Sequence, residues 1–138
     1  MSVVLIHLHA DLAGTEESLA SMHELFAELW DGAPEVTTRD RVLFSLAVAE
    51  IAANVIEHGH DRYDNWKLDL KACDDHLEAS IRHPGPVVER ALGDWTMPEE
   101  SAESGRGLAL AASASTLHYT HSTDPEGSEW RVVHALAS

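Results

Sequence analysis

Only one cysteine, Cys73, occurs in the 138 residues. An internal disulfide and a cysteine-based zinc site are therefore excluded. Positive charge is scarce as well. Nine Lys and Arg face 24 Asp and Glu, a formal balance of −15 with neutral histidine. Proteins that coat nucleic acid or an anionic membrane need concentrated positive charge, so neither partner is expected. No basic stretch followed by a long apolar run opens the chain, and no apolar run reaches the ~20 residues of a membrane span. A soluble, reducing, cytoplasmic setting is the expectation. Internal repeats, low-complexity tracts and dividing linkers are also missing. What is present is an ordinary globular balance, 44% hydrophobic and 24% charged, which argues against wholesale disorder. One domain over residues 1–138 is expected, burying roughly two-thirds of its unfolded surface. Ten histidines give the chain a charge that shifts near pH 6.

Hydrophobic spacing predicts the elements. Val3 to His9 reads as a strand, with Val4, Ile6 and Leu8 on one face. A helix follows, with Thr15 as N-cap and Glu16 and Glu17 in its first turn. Leu19, Met22, Phe26, Leu29 and Trp30 form its apolar stripe, and Gly32 and Pro34 stop it. A longer helix is predicted from Thr37 to His58, with Asp40 closing a capping box on Thr37. Trp66 to Ala72 and His76 to Arg82 alternate as two strands of a hairpin around Cys73-Asp74-Asp75. Residues 86–104 carry Pro86, Gly93, Pro98 and five acids, and read as a long loop. A short helix from Ser104 to Ser113 and strands at Leu117 to His121 and Glu129 to Ala135 complete the chain. The sum is an α+β two-layer sandwich. Its sheet is mixed, mostly antiparallel, of about five strands, with three helices on one face.

The second helix holds the informative residues. At about 100° per residue, Leu43, Leu46, Ala47, Glu50, Asn54 and His58 share one stripe. Apolar residues cover both flanks, so the helix is expected to be buried. A carboxylate, an amide and an imidazole then project from a buried helix, and burying such groups without partners costs several kcal/mol, on the order of a full hydrogen bond or more each. A polar, partly wet pocket resolves the conflict. Carboxylate and amide oxygens one turn apart suit a hard cation such as Mg²⁺ and a reacting hydroxyl. The other reading, solvent exposure or satisfaction of loop amides, stays equally open on periodicity alone.

Two further features stand out. Ser104-Gly105-Arg106-Gly107-Leu108 sits where a helix begins, and the free N–H groups of a helix start attract phosphate. On its own it reads as a loop-to-helix turn. Arg82-His83-Pro84-Gly85-Pro86 ends a strand and reads locally as a rigid turn.

Glu50-Ile51-Ala52-Ala53-Asn54-Val55-Ile56-Glu57-His58-Gly59 resembles the N-box of the GHKL ATPase superfamily. The E-x-x-x-N-x-x-x-H-G form is similar to that of the bacterial anti-sigma-factor serine/threonine kinases. The element order agrees over essentially the whole chain. The resemblance implies a Bergerat-type, histidine-kinase-like ATPase fold that binds ATP and Mg²⁺. It implies that Asn54 holds Mg²⁺, that Glu50 is the general base toward a serine or threonine hydroxyl, and that His58 helps orient the site. Residues 86–104 correspond to the ATP lid. Gly105, Arg106, Gly107 and Leu108 correspond to the phosphate-binding turn. Ser128, after Gly127, falls near the adenine. His83 and Gly85 fall on the strand-end D-x-G, whose aspartate accepts a hydrogen bond from the adenine amino group. The implied partners are a sigma factor and a STAS-type anti-anti-sigma protein, with no direct contact to nucleic acid.

The chain departs from that pattern at His83, because a neutral imidazole accepts only one hydrogen bond and only in the right tautomer. The lid also carries five acids against Arg90, a net −4 beside a polyanion site. These departures keep a second reading open, a degenerate partner-switching module of the same fold. Metal binding through His7-x-His9 and His58-x-His60-Asp61 is a third. Val3 and Leu5, on the other face of strand one, leave a homodimer contact open.

Overall fold

A computed structural model describes residues 2–13, 17–58, 65–85, 115–123 and 126–136, with side chains at 57 and 58 outside the description. Strand β1 spans Val4–Leu12, helix α1 Glu17–Gly32, helix α2 Thr38–His58 and strand β2 Trp66–Cys73. Strands β3, β4 and β5 follow at His76–Pro84, Thr116–Thr123 and Glu126–Ala135. They form one five-stranded sheet in the order β1-β2-β3-β5-β4. Every pairing is antiparallel, so the expected mixed character is corrected. Connectivity dictates one of these pairings outright: β2 and β3 are joined by a tight hairpin, which can only pair antiparallel. Two helices stand among the described residues. The third, expected at Ser104 to Ser113, lies outside them, as do the lid and the Thr15 cap.

The register turns alternation into a core. Leu8, Leu70, Ala79, Val132 and Leu117 form one rung across all five strands. Ala10, Leu68, Ile81, Trp130 and Tyr119 form the next. Helix α1 packs on β1 and β2, and α2 on β3 and β5. Met22, Phe26 and Leu29 from α1 and Phe44, Val48 and Ile51 from α2 bury against these rungs. Between the helices, Phe44 meets Phe26 and Trp30 edge-on at ring separations of 6.1 and 6.4 Å. Such pairs add about 0.5–1.5 kcal/mol beyond the area they bury. Arg41 lies over Trp30 and donates to the carbonyls of Val36 and Pro34, which fixes the joint between the helices.

Helix α2 begins as its sequence dictates. The Asp40 amide donates to Thr37 Oγ1, and the Thr37 hydroxyl donates to Asp40 Oδ2. The Thr37 side chain thus caps one of the amides that the helix start leaves orphaned, while the Asp40 carboxylate meets the Thr37 hydroxyl in place of the backbone amide of a full capping box. The all-round burial expected for α2 is corrected, since Val42 and Leu46 are 58% and 40% exposed. One sheet face can bury only one side of a helix. The stripe with Glu50 and Asn54 therefore lies along the boundary between core and solvent, where both residues are half-buried.

The opposite face of the sheet is wet and charged. Glu78 accepts from Arg131 and Lys71, and Asp69 from His7, His9 and Arg82. Burial pushes the Glu78 carboxyl up, but the Lys71 and Arg131 partners outweigh it and hold the pKa below its ordinary value. Strand β1 has no second strand neighbour among the described residues, and Val3, Val4 and Leu5 there are about half exposed, at 57%, 52% and 49%. A register irregularity between Val4 and Ile6 turns Val4 away from the core face that alternation assigns it. No helix among the described residues is long and apolar enough to cross a membrane.

Candidate functional site

Helix α2 runs from one end of the sheet to the other. Its first turn is fixed over the end of β5 by a 2.9 Å bond between Asp40 Oδ1 and His134 Nε2. From Asp40 to Asn54 the helix climbs about 21 Å. From His134 back to Ser128, β5 covers about 20 Å. Asn54 therefore reaches the end of the sandwich where Ser128 pairs with His83. Two groups of expected site residues, Glu50 with Asn54 and His83 with Gly85 and Ser128, come to the same end of the fold.

Glu50 and Asn54 stand one turn apart on α2. Asn54 Nδ2 donates to the Glu50 carbonyl at 3.0 Å. That bond ties down the amide nitrogen and leaves Asn54 Oδ1 as the group's acceptor. Oxygen donors on a half-buried helix flank suit a hard, hydrated cation such as Mg²⁺. At this end the residues present fit a metal–phosphate ligand.

The strand end is built differently. Trp130 Nε1 donates to His83 Nε2 at 3.0 Å. An indole nitrogen only donates, so His83 Nε2 must be the accepting nitrogen. The proton of the neutral ring is then on Nδ1, which lies 3.2 Å from the Pro84 carbonyl and donates to it. Both ring nitrogens are engaged within the protein. An imidazole held this way offers no acceptor to an adenine amino group, so at this end the residues do not match the aspartate pattern. The sequence named the substitution but not its consequence, because Trp130 is 47 residues away from His83.

Backbone geometry supports the turn. Gly85 adopts φ +113°, a region that side chains disfavour. His121 Nε2 lies 3.2 Å from the Gly85 carbonyl, and the Tyr119 hydroxyl lies 2.7 Å from Ser128 Oγ. Gly127 lets β5 approach β3 closely, since an added Cβ would meet the His83 carbonyl at 3.1 Å. Sequence pattern alone does not single out Tyr119, His121 and Trp130; their alternation on β4 and β5 is the available signal. His58 lies on α2 with its side chain outside the description. Gly105, Arg106, Gly107 and Leu108 lie outside the described residues. Among the described residues no group of three or more His, Cys, Asp and Glu is arranged to hold a metal.

His83 also predicts a pH dependence. Burial disfavours its charged form and lowers its pKa below the ordinary 6.5; the Pro84 bond opposes this, and His121 adds to the lowering. The unfolded ring takes its proton first as pH falls. The stability due to the neutral ring is complete above about pH 6.5 and is lost as pH falls through the lower folded value. Urea midpoints measured from about pH 7.5 to 5 should fall, and by less in His83→Gln, which keeps an acceptor for Trp130 without the titration. An equal fall in both proteins would exclude His83 as the source.

Known proteins place these observations in context. The family described as histidine kinase-like ATPase domain matches residues 11–133. No curated protein sequence matches the chain. Eleven chains of solved structures do. One holds the RsbU and RsbW domains of Rv1364c from Mycobacterium tuberculosis, at TM-score 0.68 and 18% identity. The match covers 96% of this chain and 33% of that one, so this chain spans about a third of that structure. At that identity the likeness speaks for the fold.

Proposed function

The chain belongs to the histidine kinase-like ATPase domain family, and from that premise we propose that it is an ATP-dependent serine/threonine protein kinase of the anti-sigma type. It holds a sigma factor and phosphorylates a STAS-type anti-anti-sigma protein, so its output is transcription without contact to DNA. The observation that carries this reading is the Glu50–Asn54 pair, half-buried on the flank of α2 with the amide nitrogen tied back. Bound Mg-ATP supplies the phosphoryl group. Asn54 Oδ1 holds the metal. Glu50 takes the proton from the attacking hydroxyl, and His58 orients the site. Backbone amides at Gly105 and Gly107, with Arg106 and Leu108, bind the phosphates under a lid at 86–104. Gly85, His83 and Ser128 flank the base. Phosphoryl transfer depends mainly on positioning and charge neutralisation, which this set supplies. The exposed edge of β1 supports a homodimer as a further contact.

Calorimetry with Mg-ATP tests the reading. Wild type should bind in the micromolar range, and Asn54→Ala should bind about 10–100-fold more weakly, the usual cost of disturbing a metal's protein contacts. No heat with wild type sinks the kinase.

A second reading is favoured by one observation, the Trp130–His83 bond. Here the chain is a partner-switching module that has lost its nucleotide chemistry. Under it wild type gives no binding heat, and His83→Asp, which restores an acidic acceptor, gains measurable affinity. Micromolar binding by wild type removes this version.

A further inference from the structure

The strand end holds a bond that phosphotransfer does not use. His83 pairs with Ser128 across β3 and β5, two residues along from the pair Ile81 and Trp130 and so on the same sheet face. Trp130 Nε1 donates to His83 Nε2 at 3.0 Å, and His83 Nδ1 donates to the Pro84 carbonyl at 3.2 Å. Trp130 is 1% exposed, and the Tyr119 ring packs on it at a centroid separation of 4.7 Å. The indole is held in place, with its N–H out of water.

Magnitudes decide what a purine meets here. For Nε2 to accept from a purine amino group, the indole N–H must give up its partner. A buried donor left unsatisfied weakens binding roughly tenfold or more, whereas a new neutral hydrogen bond strengthens it about fivefold. The exchange is unfavourable, so the Trp130–His83 bond persists with nucleotide bound. Nδ1 carries a hydrogen and cannot accept. Ser128, the partner of His83 in the register, offers a hydroxyl, which donates or accepts and does not tell an amino group from a carbonyl.

We propose that the Trp130–His83 lock makes the nucleotide site indifferent to whether the purine carries an amino or an oxo group, so that inosine triphosphate is taken as readily as ATP. That indifference rests on the nucleotide reading above. It places selectivity with the metal and phosphates, through Glu50 and Asn54, and not with the base. Trp130 is a positioning residue, acting through His83.

Calorimetry on the full chain with Mg-ATP and Mg-ITP tests the lock, because inosine carries a carbonyl where adenosine carries its amino group. Wild type should bind the two within about threefold of each other. His83→Asp supplies an ionised acceptor and should favour ATP by about tenfold or more, since a charged acceptor gains from the amino donor and is repelled by the carbonyl. Trp130→Phe keeps a ring against Tyr119 but frees Nε2, and should move the ratio about fivefold toward ATP. A merely structural role would weaken both nucleotides together and leave their ratio unchanged. Because Trp130→Phe can also weaken the fold, hydrogen exchange of the Trp130 indole in wild type supplies a second measurement: its protection should survive addition of Mg-ATP. A wild-type preference for ATP beyond about threefold, a ratio unmoved in both variants, or loss of indole protection on binding overturns the lock and leaves the kinase standing. Binding of neither nucleotide removes the kinase, and the lock's role with it.

Discussion

Glu50→Gln is expected to lower phosphotransfer to a STAS-type substrate by about 10²–10⁴-fold, the range that a positioned general base contributes. The substitution keeps the size and shape of the side chain and removes only its ability to take a proton. It also leaves Asn54 untouched, because the Asn54 amide is bonded to the backbone carbonyl of residue 50 and not to its carboxylate. Mg-ATP affinity should therefore change little while the rate collapses. The two effects separate in one pair of measurements, transfer of labelled phosphate and calorimetry. A rate within threefold of wild type would mean that Glu50 merely lines the flank of α2, as the residues Val42 and Leu46 do. Loss of binding and rate together would instead point to an electrostatic role in holding the metal.

Most of the fold was legible because local signals agreed with the global one. The hairpin between β2 and β3 was readable from strict alternation around Asp74-Asp75, and its register follows from which residues are apolar. The Thr37 cap on the Asp40 amide was readable from Thr37 and Asp40 alone. Strand ends were less so: β1 continues to Leu12 past the expected His9, and β5 starts at Glu126 instead of Glu129. Edge positions are set by pairing with a neighbour, which a single strand's pattern does not carry. The burial of α2 was misjudged for a related reason. Periodicity shows which residues are apolar, but the width of the sheet decides how many find cover.

The candidate site is readable where its residues lie on one element. Glu50, Asn54 and His58 share a helix, so their spacing is written in the sequence. The His83 environment is not, because Trp130, Tyr119, Ser128 and His121 reach it from two other strands. The histidine substitution alone suggested a weaker acceptor. The Trp130 bond goes further, since it fixes the tautomer and occupies the lone pair. The imidazole at the strand end is thus closed internally, with both ring nitrogens engaged by Trp130 and Pro84. The acidity points the same way. A net charge of −15 disfavours a polyanion unless a cation such as Mg²⁺ offsets the repulsion.

Phe44→Ala is expected to cost about 3–5 kcal/mol of stability, the usual penalty for truncating a buried aromatic. Phe44 is fully buried and touches both Phe26 and Trp30 of α1. It lies on the face of α2 shared with Ala47, Val48 and Ile51, which are 0–1% exposed. The truncation removes the only aromatic that α2 contributes to this cluster and leaves a void that two helices and a sheet cannot readily close. Stability of a small domain is about 5–15 kcal/mol, so the loss takes a large share of it. Chemical denaturation at neutral pH measures it as a lowered urea midpoint with an unchanged slope. The site should respond through the helix. Glu50 and Asn54 hold their positions because the opposite side of α2 is seated on β3 and β5. At temperatures where Phe44→Ala remains folded, any nucleotide affinity should stay within a few-fold of wild type; at temperatures where it melts, binding should vanish with the same midpoint. A loss of 1 kcal/mol or less would show that the helices repack around the gap, and that α2 is held mainly by its capped first turn and the Asp40–His134 bond.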